Sequence, residues 1–120
     1  MAAAVPTITM SRGRELNVSR ADFYQDLLTG VAQEILNELS EIEKVDLGSL
    51  SPDDFDQVVG VTQIRLLNEL YYCLGQLKAQ GVELNVKRAI QDLRDIWNRL
   101  IEGTERPQAL KFPVEEEQVQ

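Results

Sequence analysis

Four glutamates are the residues of this 120-residue chain whose spacing comes nearest to a reactive site. Glu34, Glu38 and Glu41 follow one another at intervals of four and three residues, which places them on one face of a helix. Glu69 lies in a second predicted helix and could approach the same face. Such a group of carboxylates could hold Mg²⁺, a hard cation bound through oxygen. The alternative interpretation is an acidic helix surface that faces solvent.

Part of this set resembles the magnesium site of a known enzyme family. The all-helical nucleotide pyrophosphohydrolases of the MazG type use an ExxE pair followed by an ExxD pair. Glu38-Leu39-Ser40-Glu41 is similar to the first pair. Glu69-Leu70-Tyr71-Tyr72 follows the second pair but has Tyr72 where the final aspartate belongs. The resemblance implies Mg²⁺-dependent hydrolysis of nucleoside triphosphates as an alternative function.

Other catalytic chemistry has little support in the residue types. The chain contains no histidine, so it has no Ser-His-Asp or Cys-His group and lacks the commonest zinc ligand. Cys73 is the one cysteine and lies among large apolar residues. We interpret it as a small buried hydrophobe, with a reactive thiol as the alternative. We predict no catalytic residue, no metal site and no cofactor, and therefore a protein that is not an enzyme.

The net charge of −8 narrows the choice of partners. It works against nonspecific binding to nucleic acid and against docking on anionic membranes, because both select for Lys and Arg. No apolar run approaches the roughly 20 residues that span a bilayer. The first residues lack the basic start and apolar centre of a secretory signal. We expect a protein of the cytoplasm or of an assembled particle, with neither nucleic acid nor membrane as partner.

The charges are unevenly distributed along the chain. Residues 19–56 contain ten acidic and two basic residues, whereas residues 57–112 contain six acidic and eight basic residues. Opposite charges of this kind attract one another within a fold or between subunits. The basic residues that we expect to pair with the first helix are Lys87, Arg88, Arg94 and Arg99, and their expected partners are Glu34, Glu38, Glu41 and Glu43.

Capping signals divide the chain into three helices. Ser19 and Ser51 each begin a capping motif, and in the first of these Asp22 can reach back to the Ser19 amide. Pro52 occupies a first helical position, where its missing N–H costs nothing. The predicted helices span residues 19–46, 51–80 and 85–102. We therefore predict an all-α fold, an antiparallel three-helix arrangement at residues 19–103 with extended N- and C-terminal tails.

The helix at residues 51–80 is the longest and most apolar, and it needs neighbours on more than one side. We expect the other helices to cover Ile64, Leu67, Tyr71 and Leu74. The second side of this helix is left for contact with another molecule. We predict an interaction face made of this side together with residues of the third helix and of the C-terminal segment: Val59, Leu66, Tyr72, Cys73, Lys87, Arg88, Arg94, Leu110 and Phe112.

Three glycines fall inside the predicted helices. Gly30, Gly60 and Gly75 each cost about 1 kcal/mol of helix stability relative to alanine. Each marks either a close approach or kink of a helix, or a tolerated surface position.

The two tails lack helical periodicity. Residues 1–18 are either disordered or form an extended strand that pairs with another subunit. Residues 104–120 are interpreted as an acidic tail in solvent. Alternatively, Ala109–Val114 is a docking peptide whose apolar side chains enter a groove on another molecule.

The leading functional hypothesis is a non-enzymatic protein–protein interaction or assembly module that acts as a homo-oligomer through helix packing. One alternative is a structural component of a larger particle, such as a phage virion, that uses its terminal arms. Another is a small acidic helical chaperone, which would hold the amphipathic helix of a client protein.

Overall fold

Three helices begin and end close to the capping signals. The structure, a computed structural model, describes residues 6–19, 21–43 and 47–113, without the side chains of 42, 43 and 47. The helices are α1 (Phe23–Glu43), α2 (Pro52–Ala79) and α3 (Val86–Glu102). The Ser51 side chain accepts a hydrogen bond from the Asp54 amide. These findings confirm the predicted all-α class and the three-helix arrangement.

The start of α1 uses the predicted cap with a different second partner. The Asp22 amide donates to Ser19 Oγ at 3.1 Å, as expected. The Ser19 amide, however, donates to Asp26 Oδ2 at 2.7 Å and not to Asp22. This backbone hydrogen bond lowers the pKa of Asp26. This hydrogen bond joins residues seven positions apart and connects the segment before α1 to the first turn of the helix, which begins at Phe23.

Helix α1 contributes more buried apolar side chains to the core than either other helix. Helix α1 packs against both other helices, and each of these contacts is more extensive than that between α2 and α3. Trp97 on α3 is fully buried. The apolar stripe of α1 is wide enough to face two neighbours. The buried apolar side chains of α1 are Leu27, Leu28, Val31, Ala32, Ile35, Leu36 and Leu39.

The N-terminal segment forms a hairpin that completes the core. Strands β1 (Ile8–Thr9) and β2 (Glu15–Leu16) pair antiparallel, with Ile8 opposite Leu16. Gly13 adopts a φ of 98° in the connecting turn, a conformation that favours glycine. Ile8 and Met10 are buried in the same cluster as the helices. The predicted disorder, or pairing with another subunit, is therefore wrong for residues 6–18. Residues 1–5 lie outside the described residues.

Side chains of α2 hold the backbone of this hairpin. Gln76 accepts from the Thr9 amide at 2.9 Å and donates to the Thr9 carbonyl at 2.6 Å. Gln80 makes the same pair of bonds with Thr7, at 3.0 and 2.7 Å. These amides satisfy the edge of β1 that faces away from β2, so no strand from another chain is needed there.

Gly30 marks the place where the hairpin meets α1. A Cβ atom at this position would overlap the side chain of Leu16. Of the two interpretations of this glycine, the structure selects the close approach, although the neighbour is a strand and not a helix.

The C-terminal segment also folds back onto its own chain. A 3-10 helix, Gln108–Leu110, packs against α2 and α3, and Leu110 and Phe112 are buried. Trp97 Nε1 donates to the Leu110 carbonyl at 2.9 Å. The side-chain amide of Asn98 accepts a hydrogen bond from the Phe112 N–H at 2.8 Å and donates one to the Phe112 carbonyl at 3.1 Å. Residues 104–113 are thus part of the fold and not a tail. Residues 114–120 lie outside the described residues.

Candidate functional site

The glutamates proposed as metal ligands do converge, but on arginine. Arg65 of α2 lies between two of them and forms a bidentate pair with Glu38, at 3.1 and 2.5 Å. The same guanidinium donates to Glu69 Oε1 at 3.0 Å. Bidentate pairs of this type are among the strongest hydrogen-bonded interactions in proteins. The third carboxylate, Glu34, pairs with Arg14 of the hairpin at 2.7 Å. Glu41 is exposed and stands apart.

Glu69 is the most constrained member of this group because its side chain is fully buried. Its carboxylate accepts from the Ser11 amide at 2.7 Å and from the Ser11 hydroxyl at 2.6 Å. Burial raises the pKa of Glu69, but the hydrogen bonds from Ser11 and Arg65 outweigh it, so the net pKa is lowered. The carboxylate is therefore held ionised, and it anchors the end of the hairpin to α2.

This geometry does not fit the magnesium site of the MazG type. Glu38 and Glu69 share one guanidinium where the family would need a divalent cation. Tyr72, in the place of the final aspartate, is half-exposed. Across residues 6–19, 21–43 and 47–113, no group of three or more Cys, Asp or Glu side chains is arranged to hold a metal ion.

Much of the predicted interaction face is buried inside the chain. Leu66, Cys73 and Leu110 are fully buried, and Phe112 is 7% exposed. They were predicted to be free because the hairpin and the C-terminal segment were interpreted as tails. Both segments instead pack against α2, and all four residues belong to one buried cluster with residues of α1 and α3. For these four residues the prediction of an exposed contact face is wrong. The structure confirms the interpretation of Cys73 as a buried hydrophobe, and burial raises the pKa of its thiol to about 12.

The basic residues of α3 also have partners other than those predicted. Arg88 pairs with Asp92 of its own helix at 3.2 Å, and Lys87 is exposed. The Arg94 guanidinium lies 5.2 Å from the centre of the Phe112 ring, a cation–π distance. Val59 is half-buried against the core. The predicted pairing of α3 with Glu34 and Glu38 is wrong, because Arg14 and Arg65 occupy those carboxylates.

Asp92 links α3 to α1 by a different route. The Tyr24 hydroxyl donates to Asp92 Oδ2 at 2.7 Å. Burial, together with this hydrogen bond and the negative charge of Asp92, raises the pKa of Tyr24 to about 12. Asp92 therefore connects α3 to α1 within the fold.

Four of the five large apolar side chains that are exposed in the described part of the chain lie on α2. The exposed fractions are 60% for Ile64, 53% for Val61, 50% for Tyr71 and 48% for Tyr72. The prediction that other helices cover Ile64 and Tyr71 is wrong, whereas Tyr72 is exposed as predicted. We define the outer face of α2 as Gly60, Val61, Ile64, Asn68, Tyr71, Tyr72 and Gly75.

The spacing of the buried residues of α2 places this face on the opposite side of the helix. The buried positions of α2 are Leu66, Leu70, Cys73 and Leu77, at steps of four, three and four residues. That spacing defines a single core stripe. Ile64 and Tyr71, which are seven residues apart, fall on the opposite side of the helix.

No neighbouring atom within the described chain requires a glycine at the two glycine positions of the outer face. A Cβ atom added at Gly60 or Gly75 would meet no atom within 4 Å. Neither glycine is needed for packing inside the chain, although each costs about 1 kcal/mol in a helix. The outer face continues at Gly75 into a shallow groove of about 210 Å³, lined by Leu74, Gly75, Lys78, Val82, Glu83, Leu84 and Val86.

Within the described part of the chain, no helix is long and apolar enough to cross a membrane. Comparisons with protein-family models, with characterised proteins and with solved structures give no match to this chain.

Proposed function

We propose that this protein is a non-enzymatic assembly module, of the cytoplasm or of a particle assembled there, whose copies associate through the outer face of α2. The observation that carries the proposal is the row of four large apolar side chains on this face, each 48–60% exposed. Contiguous apolar surface of this kind is typical of protein–protein contact sites.

The absence of charge on this face supports the same conclusion. Between Asp56 and Lys78, α2 carries two charged residues, Arg65 and Glu69. Both are engaged with α1 or the hairpin, as described above. The outer face is thus uncharged over about five helical turns. Depletion of charge, together with aromatic residues, is the composition typical of the centre of an interface.

The state of the two terminal segments also favours α2 as the contact surface. The sequence offered both segments as arms that could bind another molecule. Residues 6–18 and 104–113 instead pack on their own chain, where their backbones are bonded by side chains of α2 and α3. We therefore place the contact on the outer face of α2.

A charge placed in this face should prevent association. We expect Ile64→Glu to convert the self-associated protein to a monomer, because burial of an unpaired carboxylate between two copies would cost its hydration free energy. The control is Gln33→Glu, which adds the same charge at an exposed position of α1. Light scattering coupled to size-exclusion chromatography measures the mass of each variant. The proposal fails if Ile64→Glu and Gln33→Glu have the same mass.

A further inference from the structure

Two pairs of residues on the outer face of α2, Ile64 with Tyr71 and Gly60 with Gly75, lie at equal distances from one midpoint in the sequence. This relation suggests how two copies would meet. We infer that two α2 helices pair antiparallel about a twofold axis that passes between Leu67 and Asn68. This inference rests on the proposed self-association and adds its geometry, which is a defined register between the two copies.

The symmetry is that of residue types on either side of one midpoint. Counting outward from the midpoint between residues 67 and 68, Ile64 corresponds to Tyr71, and Gly60 corresponds to Gly75. In a twofold interface, residue i of one copy faces residue j of the other, and residue j faces residue i. For antiparallel helices this condition pairs positions that are equally far from the midpoint. Large side chains would therefore meet large ones, and glycine would meet glycine.

This arrangement gives the two glycines a purpose that the single chain does not. They lie 15 positions apart, which is about 22 Å along the helix. In the inferred pair, a glycine of one copy faces a glycine of the other at both ends of the contact. The missing side chains allow the helices to approach closely at these ends, where the groove beside Gly75 meets the partner.

The charges at the two ends of the face favour the antiparallel orientation. Asp53 and Asp56 are exposed near the start of α2, and Lys78 is exposed near its end. Asp53 and Lys78 lie 11 and 14 positions from Ile64, close to three and four helical turns, and so share its side of the helix. Antiparallel pairing places Lys78 beside the aspartates of the second copy. Parallel pairing would place aspartate against aspartate and lysine against lysine. The opposed helix dipoles favour the same choice.

The size of the face predicts a weak, reversible contact. The whole of helix α2, which is longer than the outer face, has 28 residues and a length of about 42 Å, so the contact area estimated from it is an upper bound. With a width of about 10 Å, it offers on the order of 400 Å² in projection. A standard interface covers about 800 Å² on each partner. We therefore expect dissociation in the micromolar range or weaker, and dimers that form as concentration rises.

Single cysteines test this register in the full-length chain. Helix axes 8–10 Å apart bring facing Cα atoms to within about 6 Å, which a disulfide can bridge. In the inferred pair, residue 68 lies beside its own counterpart across the axis. Asn68→Cys should therefore form a disulfide-linked dimer on mild oxidation. The natural Cys73 is buried and can be kept in every variant. The protein without an added cysteine shows whether Cys73 itself forms a disulfide.

The orientation is tested with two further variants. Ile64→Cys alone and Tyr71→Cys alone should not link, because each residue is about 10 Å along the axis from its own counterpart. A mixture of the two should link, and mass spectrometry distinguishes the mixed dimer by its mass. Gln33→Cys on α1 is the matched exposed control.

The outcomes test the inferred register and the proposed self-association separately. Linking of Asn68→Cys and of the mixture supports the inferred register. Linking of Ile64→Cys with itself would indicate parallel pairing and overturn the inference. A dimer by light scattering without any of these links would overturn the register and leave the proposed function standing. A monomer at all concentrations would overturn both.

Discussion

Removal of the Glu69 carboxylate should release the N-terminal hairpin and cost a large part of the stability of the fold. Glu69 is fully buried and accepts two hydrogen bonds from Ser11 and one from Arg65. Breaking a buried ion pair costs about 3–5 kcal/mol. Arg65 keeps its bidentate partner Glu38, so we expect the lower end, about 3 kcal/mol, for Glu69→Ala. Glu41→Ala, at an exposed position of α1, should change stability by less than about 0.5 kcal/mol.

Urea denaturation followed by circular dichroism measures this loss. The protein should be dilute enough to be monomeric, because association would add to the apparent stability. Hydrogen exchange should show lost protection at the Thr7 and Thr9 amides, which are bonded to α2 only while the hairpin is docked. If Glu69→Ala is too unstable to measure, Ser11→Ala removes one of the three bonds and should cost about 1 kcal/mol. A loss for Glu69→Ala no larger than that for Glu41→Ala would refute the assigned anchoring role.

Three further predictions concern other parts of the fold. Gly60→Ala and Gly75→Ala should each raise the stability of the monomer by about 1 kcal/mol in urea denaturation and weaken self-association, because the added methyl groups meet nothing within the chain. Phe112→Ala should cost about 3 kcal/mol and shift the fluorescence of the buried Trp97 to longer wavelength, since the C-terminal segment would lose its largest buried side chain; an unchanged spectrum would contradict this. Acidification should destabilise the fold through Glu69, because the pKa of its carboxyl is lower in the folded protein than the usual 4.5. The stability that Glu69 contributes is fully present above pH 4.5, and it is lost as the pH falls through the pKa of the folded state. Urea midpoints measured between about pH 6 and pH 3 test this sign.

The helices could be predicted from the sequence because their signals are local. Ser51 and Pro52 fix the start of α2, and the stripe of α3 repeats at steps of three and four residues. Each of these features is confined to a few neighbouring residues. Capping and periodicity therefore identify the elements before any tertiary contact is known.

The positions of the two terminal segments could not be predicted in this way. The bonds that hold β1 join Thr9 to Gln76, which are 67 residues apart, and a glutamine amide carries no local mark of such a partner. Leu110 is likewise held by the indole of Trp97. Once both segments were treated as tails, Leu66 and Cys73 were left without cover in the prediction.

The sequence does not show which side of α2 packs against the core. Leu66, Leu70, Cys73 and Leu77 repeat at steps of four, three and four residues, and Ile64, Leu67, Tyr71 and Leu74 repeat at steps of three, four and three. Both groups form a helical stripe, so neither composition nor spacing distinguishes them. The structure buries the first group and leaves Ile64 and Tyr71 exposed.

The most direct test of self-association is sedimentation equilibrium of the full-length chain over a wide range of concentration. The monomer has a mass of 13.6 kDa. The average mass should rise with concentration to about twice this value, and the rise should strengthen with added salt, because each copy carries a net charge of −8. A mass of 13.6 kDa at every concentration and ionic strength would contradict the proposed function.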